Sequence, residues 1–522
     1  MHPALQVDEI LSLILAHFAL PTIRWLDRES LWNTRTLKRT LAAAARTCRA
    51  FHDPALALLW EHQTSLMPLL KTLPSFQRDE QYIYTLSAPV HPKHWARFQS
   101  YARRIRTFVY TPNGCIHSSV FPGLAAMLDG QPLMPSLRRM LWVKAFSLGD
   151  DMKLFISPSL REVEVSLIGR PSLVATDSHD LEALLHSLVH IAVDLEHLTV
   201  EGSVTTKSTS YIAGFKRLRS LNLNGAGSWV DLEAFYALAA LPFLETLRIN
   251  TAQLALEDGH HPSAFRSLRT LQISGTPSAI DSVLRIVSSE RVRSISIRTS
   301  YSYKPNEWRT CFDTILTRFA NKLTEFHIKL IMGSLSMSAD SDDFLFVVEP
   351  LLGISSLHVV DIHLEGHLRV SDADIHTMAS SWRELRELRI WCHKSGDGPS
   401  LQSLASCASL CPRLHQLELP IDARNRANQS HLHPHRFTSS RAIADKPSQT
   451  LRYLVLSGNV GIEEPAMVSR RIRTLFPALQ RFEAYSWDPA MNAMWQEVKD
   501  SIRTLHSPNK AGLPAPSRRK VT

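Results

Sequence analysis

The sequence predicts an α/β solenoid, in which short parallel strands and helices alternate in stacked repeats, preceded by a small all-α module at the N-terminus. Three observations lead there. One apolar pattern recurs from about residue 105 to the C-terminal region: an apolar residue, two variable ones, then two apolar residues separated by a single variable one. Each copy ends in the period-two alternation of Leu, Ile or Val that suits a short strand, whereas an amphipathic helix would repeat at i, i+3, i+4 and i+7. The stretches between copies have helical spacing, and several open on Asp or Ser as plausible caps.

In chain order, the weaker first copies start at Ile105 and Leu137, followed by copies at Leu160 and Leu195. Four clear ones come next: Leu218, Leu221 and Leu223; Leu244, Leu247 and Ile249; Leu268, Leu271 and Ile273; Val292, Ile295 and Ile297. Further copies start at Leu323, Leu357, Leu385, Leu414, Leu451 and Leu479. Helix-like stretches lie between them at Leu232–Leu241, Ile280–Val287, Trp308–Phe319 and Leu401–Leu410. Successive copies are about 23 to 37 residues apart, from Leu195 to Leu218 at the short end and from Leu414 to Leu451 at the long end. That spacing suits units carrying a full helix on the convex side. A lone strand and helix cannot bury their apolar faces, but stacked neighbours share one core, so repetition is a condition of stability.

This pattern resembles the leucine-rich-repeat family in its helix-bearing, ribonuclease-inhibitor-like form, over roughly residues 100 to 490. The resemblance implies an arc whose signature residues face inward. The residues between and after them face the concave surface, because side chains alternate along a strand. In mid-array these are Arg248, Gln272, Arg298, His327, Asp361, Arg389 and Trp391, the expected target-binding set. Arginine with an accessible tryptophan is what protein interfaces favour as anchors, and the cationic bias suits an acidic or phosphorylated partner.

Ahead of the repeats, Leu5 to Phe18 form an apolar helix opening, and Leu41–Phe51 and Pro54–Trp60 supply two more compact apolar segments. Their order is similar to the F-box of fungal-type proteins, with Val7 where the family has proline and Phe51 where tryptophan is common. The resemblance implies that Leu5, Ile10, Leu11, Ile14, Phe18, Leu41, Cys48 and Phe51 either build the helical module or meet a Skp-type adaptor. An F-box joined to leucine-rich repeats implies a non-catalytic substrate-recognition subunit of an SCF cullin-RING ubiquitin ligase, a monomer within that complex. The other reading is a repeat scaffold with no ubiquitin role, its N-terminal helices only capping the solenoid. The expected organisation is a helical module at 1–62, a connecting helical segment at 63–100, the solenoid at 101–490, a capping helix at 491–506 and a disordered basic tail at 507–522.

Composition narrows the function classes. The formal charge of +9 comes from arginines spread along the chain rather than massed in a block, which argues against nucleic acid. Six cysteines in 522 residues are too sparse for a disulfide framework, so a reducing compartment, cytoplasm or nucleus, is expected. The longest apolar run, Ile10–Leu20, contains His17 and is too short to span a bilayer, so no membrane role is expected. No phosphate-cradling loop, nucleophile and base, or paired carboxylates occur at recognisable spacing. Gly225 and Gly227 lack the rest of a nucleotide fingerprint, and Asp340, Asp342 and Asp343 lack a calcium loop's glycine and glutamate. His431, His433 and His435 fall in a long polar stretch and read as solvated histidines, while Cys407 and Cys411 read as small core residues. No enzyme activity, cofactor or metal is expected.

Overall fold

The computed structural model describes residues 8–18, 28–110, 115–144, 150–167, 174–202, 204–223, 230–251, 254, 264–299, 305–330, 344–364, 370–392, 398–424, 446–456, 461–486 and 488–503. The chain divides into two compact units. The first ends at Leu254 and includes Ala264–Leu268; the body of the second begins at Arg269.

The first unit opens on three helices, α1 (Asp8–Ala16), α2 (Arg28–Ala44) and α3 (Arg49–Glu61). Both α1 and α2 pack on α3, around a small core of Leu15, Ala45 and Ala55. Strand β1 (His62–Gln63) follows directly. The connecting segment then contains a feature that helical spacing did not announce, an antiparallel pair of β2 (Phe76–Arg78) and β3 (Tyr84–Leu86). Across the hairpin Phe76 stacks on Tyr84 with ring centroids 5.1 Å apart.

The repeats supply β4 (Thr107–Tyr110), β5 (Arg139–Lys144), β6 (Glu162–Leu167), β7 (His197–Glu201), β8 (Ser220–Leu223) and β9 (Thr246–Asn250). These form a parallel sheet in chain order, with β1 added to its edge beside β4. The second unit continues the plan with β10 (Thr270–Ser274), β11 (Ser294–Thr299), β12 (Glu325–Leu330), β13 (Val359–Leu364), β14 (Glu387–Cys392), β15 (Gln416–Leu419), β16 (Tyr453–Leu456) and β17 (Arg481–Ala484), again parallel and in order. Every copy of the apolar pattern carries a strand, so each unit is an α/β solenoid of the predicted leucine-rich-repeat kind.

Alternation places the signature residues. Leu221, Leu223, Leu247, Leu271, Ile295, Phe326, Val360, Leu388 and Leu417 are buried without exception, while the residues between them are half-buried or exposed. A fully buried leucine contributes about 1.5–3 kcal/mol, so even a few such positions per repeat outweigh local strand propensity. Helices begin where capping side chains meet orphan backbone N–H groups. Asp231 accepts from Ala234 N, Thr276 from Ala279 N, and Ser371 forms a capping box with Asp374. Neighbouring repeats are also tied together by side chains: the Trp382 indole donates to Leu351 O at 3.1 Å, and Ser356 Oγ to Leu323 O at 2.7 Å.

A second, purely backbone ladder runs just before the strands. In the first unit Arg106 O accepts from the N–H groups of Arg138 and Arg139, and Arg138 O accepts from those of Arg161 and Glu162. In the second, Arg269 O takes Arg293 and Ser294, and Arg386 O takes His415 and Gln416. Each carbonyl uses both lone pairs on the next repeat, which pins the register of successive strands. At the C-terminal end, helix Pro489–Arg503 packs on β17 and buries Trp495, so the last apolar strand is covered.

Candidate functional site

The open face of the second unit carries rows of side chains that the register brings side by side. One row is Gln272, Ser296, His327, Asp361, Arg389 and Glu418. The next, two residues further along each strand, is Ser274, Arg298, Lys329, His363 and Trp391. Neighbours within a row stand about 4.8 Å apart along the sheet, close enough for direct contact.

In the first row Asp361 sits between two basic groups, with His327 Nδ1 at 3.7 Å and Arg389 Nη1 at 3.6 Å. Arg389 also reaches Glu387 Oε2 at 2.7 Å. Partial burial alone pushes the Asp361 carboxyl up, but His327, Arg389 and His363 outweigh it and hold the carboxyl below its ordinary range. Arg389 is therefore already engaged by two acids and is not a free cation awaiting a partner.

The second row differs. Trp391 stacks on His363 with ring centroids 4.0 Å apart and 27° between planes. Arg298 is exposed and Lys329 half-buried, and neither forms an ion pair among the described residues. The row thus runs from two adjacent cations to an imidazole and an indole, a surface able to take an acidic group beside an apolar or aromatic one.

Of the residues singled out from sequence, Gln272, His327, Asp361 and Arg389 share the first row, and Arg298 and Trp391 belong to the second. Arg248 lies on the open face of the first unit, in register with Asn222 and Thr199. Lys329 and His363 were missed. Arg298 and Trp391 fall six residues after the first apolar residue of their copies, and the same count from Leu323 and Leu357 finds both.

On the N-terminal module the apolar set divides. Leu11 and Leu41 are buried, at 1% and 0% exposure, and so serve the interior; Ile10 and Ile14 are exposed, as is Leu13 on the same helix. Phe18 packs against the module's core, and Cys48 and Phe51 are half-buried. Leu5 lies outside the described residues, as do Gly225 and Gly227, the acidic run from Asp340 to Asp343, the histidines at 431, 433 and 435, and the tail 507–522.

Cys407 and Cys411 are buried, as expected of core residues, and burial pushes the Cys411 thiol up to about 12. Among the described residues no three His, Cys, Asp or Glu side chains are grouped to hold a metal ion, and no helix is long and apolar enough to cross a membrane.

No family model matches the chain, and no curated protein matches it. Solved structures similar to it include a leucine-rich-repeat protein of Leptospira interrogans, at 10% identity over 84% of this chain and 98% of that one, with a TM-score of 0.37. The Rad7 and Elc1 complex of yeast is similar at 13% identity, 88% and 90% coverage and a TM-score of 0.32. PEPR1-AtPEP1 is similar at 12% identity, 75% and 58% coverage and a TM-score of 0.32.

Proposed function

We propose that the chain is a non-catalytic adaptor: its repeats hold a target protein, and its N-terminal helices dock on a Skp-type adaptor of a cullin-RING ubiquitin ligase. The observation that carries the first half is the row of Arg298, Lys329, His363 and Trp391, two cations without ion-pair partners among the described residues beside a stacked aromatic pair. The second half rests on the F-box-like segment and on α1, where Leu11 and Leu15 turn inward while Ile10, Leu13 and Ile14 remain exposed. Isolated apolar side chains on a surface are ordinary, but three on one short helix make a face that association can bury. The chain's contribution would be tethering, which raises the effective concentration of target lysines near a charged conjugating enzyme.

The two surfaces separate experimentally. Affinity purification of the full chain should retain a Skp-type adaptor, and Leu13→Asp with Ile14→Asp should abolish that retention while target capture persists. Forcing carboxylates into an apolar interface removes water without supplying partners, an effect of several kcal/mol or about a thousandfold. If wild-type protein never retains such an adaptor, the ubiquitin half falls, and a repeat scaffold capped by helices remains.

A further inference from the structure

A cavity of about 450 Å³ opens in the first unit where α3 meets the start of the sheet. Arg103, Arg104, Arg106 and Arg138 line it together with Ser136 and Ser159, and Glu61 is the only acid in its wall. The volume falls within the range of small-molecule sites, about 300–1,000 Å³.

Backbone bonds hold these arginines in place. Arg106 N donates to Glu61 O at the end of α3, and Arg106 O accepts from Arg138 N, so two of the side chains project from consecutive rungs of one ladder. Arg103 and Arg104 follow helix Pro92–Ala102, which is fixed to α3 by the stack of Tyr101 on Trp60, centroids 4.7 Å apart. Arg104 Nη2 reaches Asp53 Oδ1 at 2.8 Å, which anchors that guanidinium, yet its Nε–H is buried and has no hydrogen-bond partner among the described residues. Arg103, Arg106 and Arg138 have no acidic partner among the described residues. Further along the same rim the arginines are neutralised: Arg161 pairs with Asp194 at 3.1 Å and Arg219 with Glu245 at 2.9 Å. On this stretch of the first unit the unpaired arginines are those at the pocket.

From this contrast we infer that the pocket binds a compact phosphorylated ligand carrying at least two phosphoryl groups. With Arg104 paired to Asp53, the guanidinium groups of Arg103, Arg106 and Arg138 face the single carboxylate of Glu61, which leaves net positive charge in a small volume, and a forked guanidinium matches the oxygens of a phosphoryl group bidentately. The hydroxyl of Ser136 adds a neutral donor on the same wall. An extended polyanion would need cations spread along the rim, where acids already cancel them. The site is separate from the second unit's open face and stands or falls independently of target capture.

Titration calorimetry of the full chain with inorganic pyrophosphate tests this, with orthophosphate and sulfate as competitors. Saturable binding is expected, weakened about tenfold or more by Arg106→Gln with Arg138→Gln, since hydrogen bonds to charged groups are among the stronger ones. The single variant Arg103→Gln should weaken it in the same direction, and Arg219→Gln, on the paired part of the rim, should leave it unchanged. All four substituted arginines are exposed, and thermal unfolding without ligand should be unaltered. Absence of saturable binding would overturn the inference, as would equal losses in the Arg219 control, which would indicate diffuse charge. A single-stranded oligonucleotide that binds more tightly than pyrophosphate, and increasingly with length, would also overturn it and make the rim a nucleic-acid surface.

Discussion

The indole of Trp391 lies against the imidazole of His363, on facing positions of adjacent strands, with ring centroids 4.0 Å apart. The stack joins one repeat to the next on the face where target binding is proposed, and it fixes an aromatic surface beside Arg298 and Lys329. A ring already ordered by a neighbour loses less freedom on binding than one that must be immobilised.

Trp391→Ala should weaken target capture by about 2 kcal/mol or more, near thirtyfold, as loss of a central aromatic anchor does. Stability should fall by only about 0.5–1.5 kcal/mol through the lost ring pair. Arg298→Glu with Lys329→Glu should remove capture with the fold intact. Arg389→Glu is a poorer probe, because it also sets a new carboxylate against Asp361 and Glu387. Affinity measured with any retrieved partner decides the matter, and unchanged capture by the Trp391 variant would remove this face from consideration.

Leu221 and Leu271 are fully buried signature residues in the first and second units. Truncating either to alanine should cost about 2–5 kcal/mol by transfer and cavity terms. Urea unfolding reads this directly, and a cost near zero would contradict the assigned register.

Leu11 and Ile14 lie within one turn of each other on α1 but differ in exposure, 1% against 43%. Leu11→Ala should destabilise the N-terminal module by about 2–5 kcal/mol, whereas Ile14→Ala should stay within about 0.5 kcal/mol. Limited proteolysis of the full chain compares the two. Equal effects would mean that Ile14 is not a surface residue.

Stability should decline as pH rises above the ordinary thiol value. Burial pushes the Cys411 thiol up to about 12 from 9.0 and raises Cys407 well above it, so both stay protonated in the folded chain where the unfolded chain has lost its protons. Within that window the unfolded state binds fewer protons, and the stability of unfolding falls with pH. The urea midpoint should therefore drop from pH 8 to pH 10, less steeply in Cys411→Ala. At pH 8 a thiol reagent should modify exposed Cys115 and spare Cys407 and Cys411, which peptide mass spectrometry would show residue by residue.

Much of the fold was legible because it depends on short-range spacing. An apolar residue, a gap of two and then strict alternation places side chains on one face of a strand wherever it occurs, and the structure has a strand at each such place, from Thr107–Tyr110 to Arg481–Ala484. The caps at Asp231 and Ser400 were readable for the same reason, since each side chain bonds a backbone group two or three residues away; the helix over Pro277–Ile286 starts three residues before the expected Ile280, on a Thr276 cap. The pair Phe76–Arg78 and Tyr84–Leu86 was not, because its short strands carry too little alternation.

The sequence by itself determined the strand-and-helix repeat, its inward leucines and the pool of residues left for the open face. Only the tertiary structure decided which members of that pool touch. His327 and Asp361 are far apart in the chain, separated by a helix and a connection of unrelated length, yet parallel register sets them 3.7 Å apart. The same register gives Arg389 to Asp361 and Glu387, leaves Arg298 beside Lys329, and lays Trp391 on His363. Local alternation decides the side of the sheet on which a residue lies, while hydrogen bonding between distant segments decides its neighbours, and charge and stacking depend on neighbours.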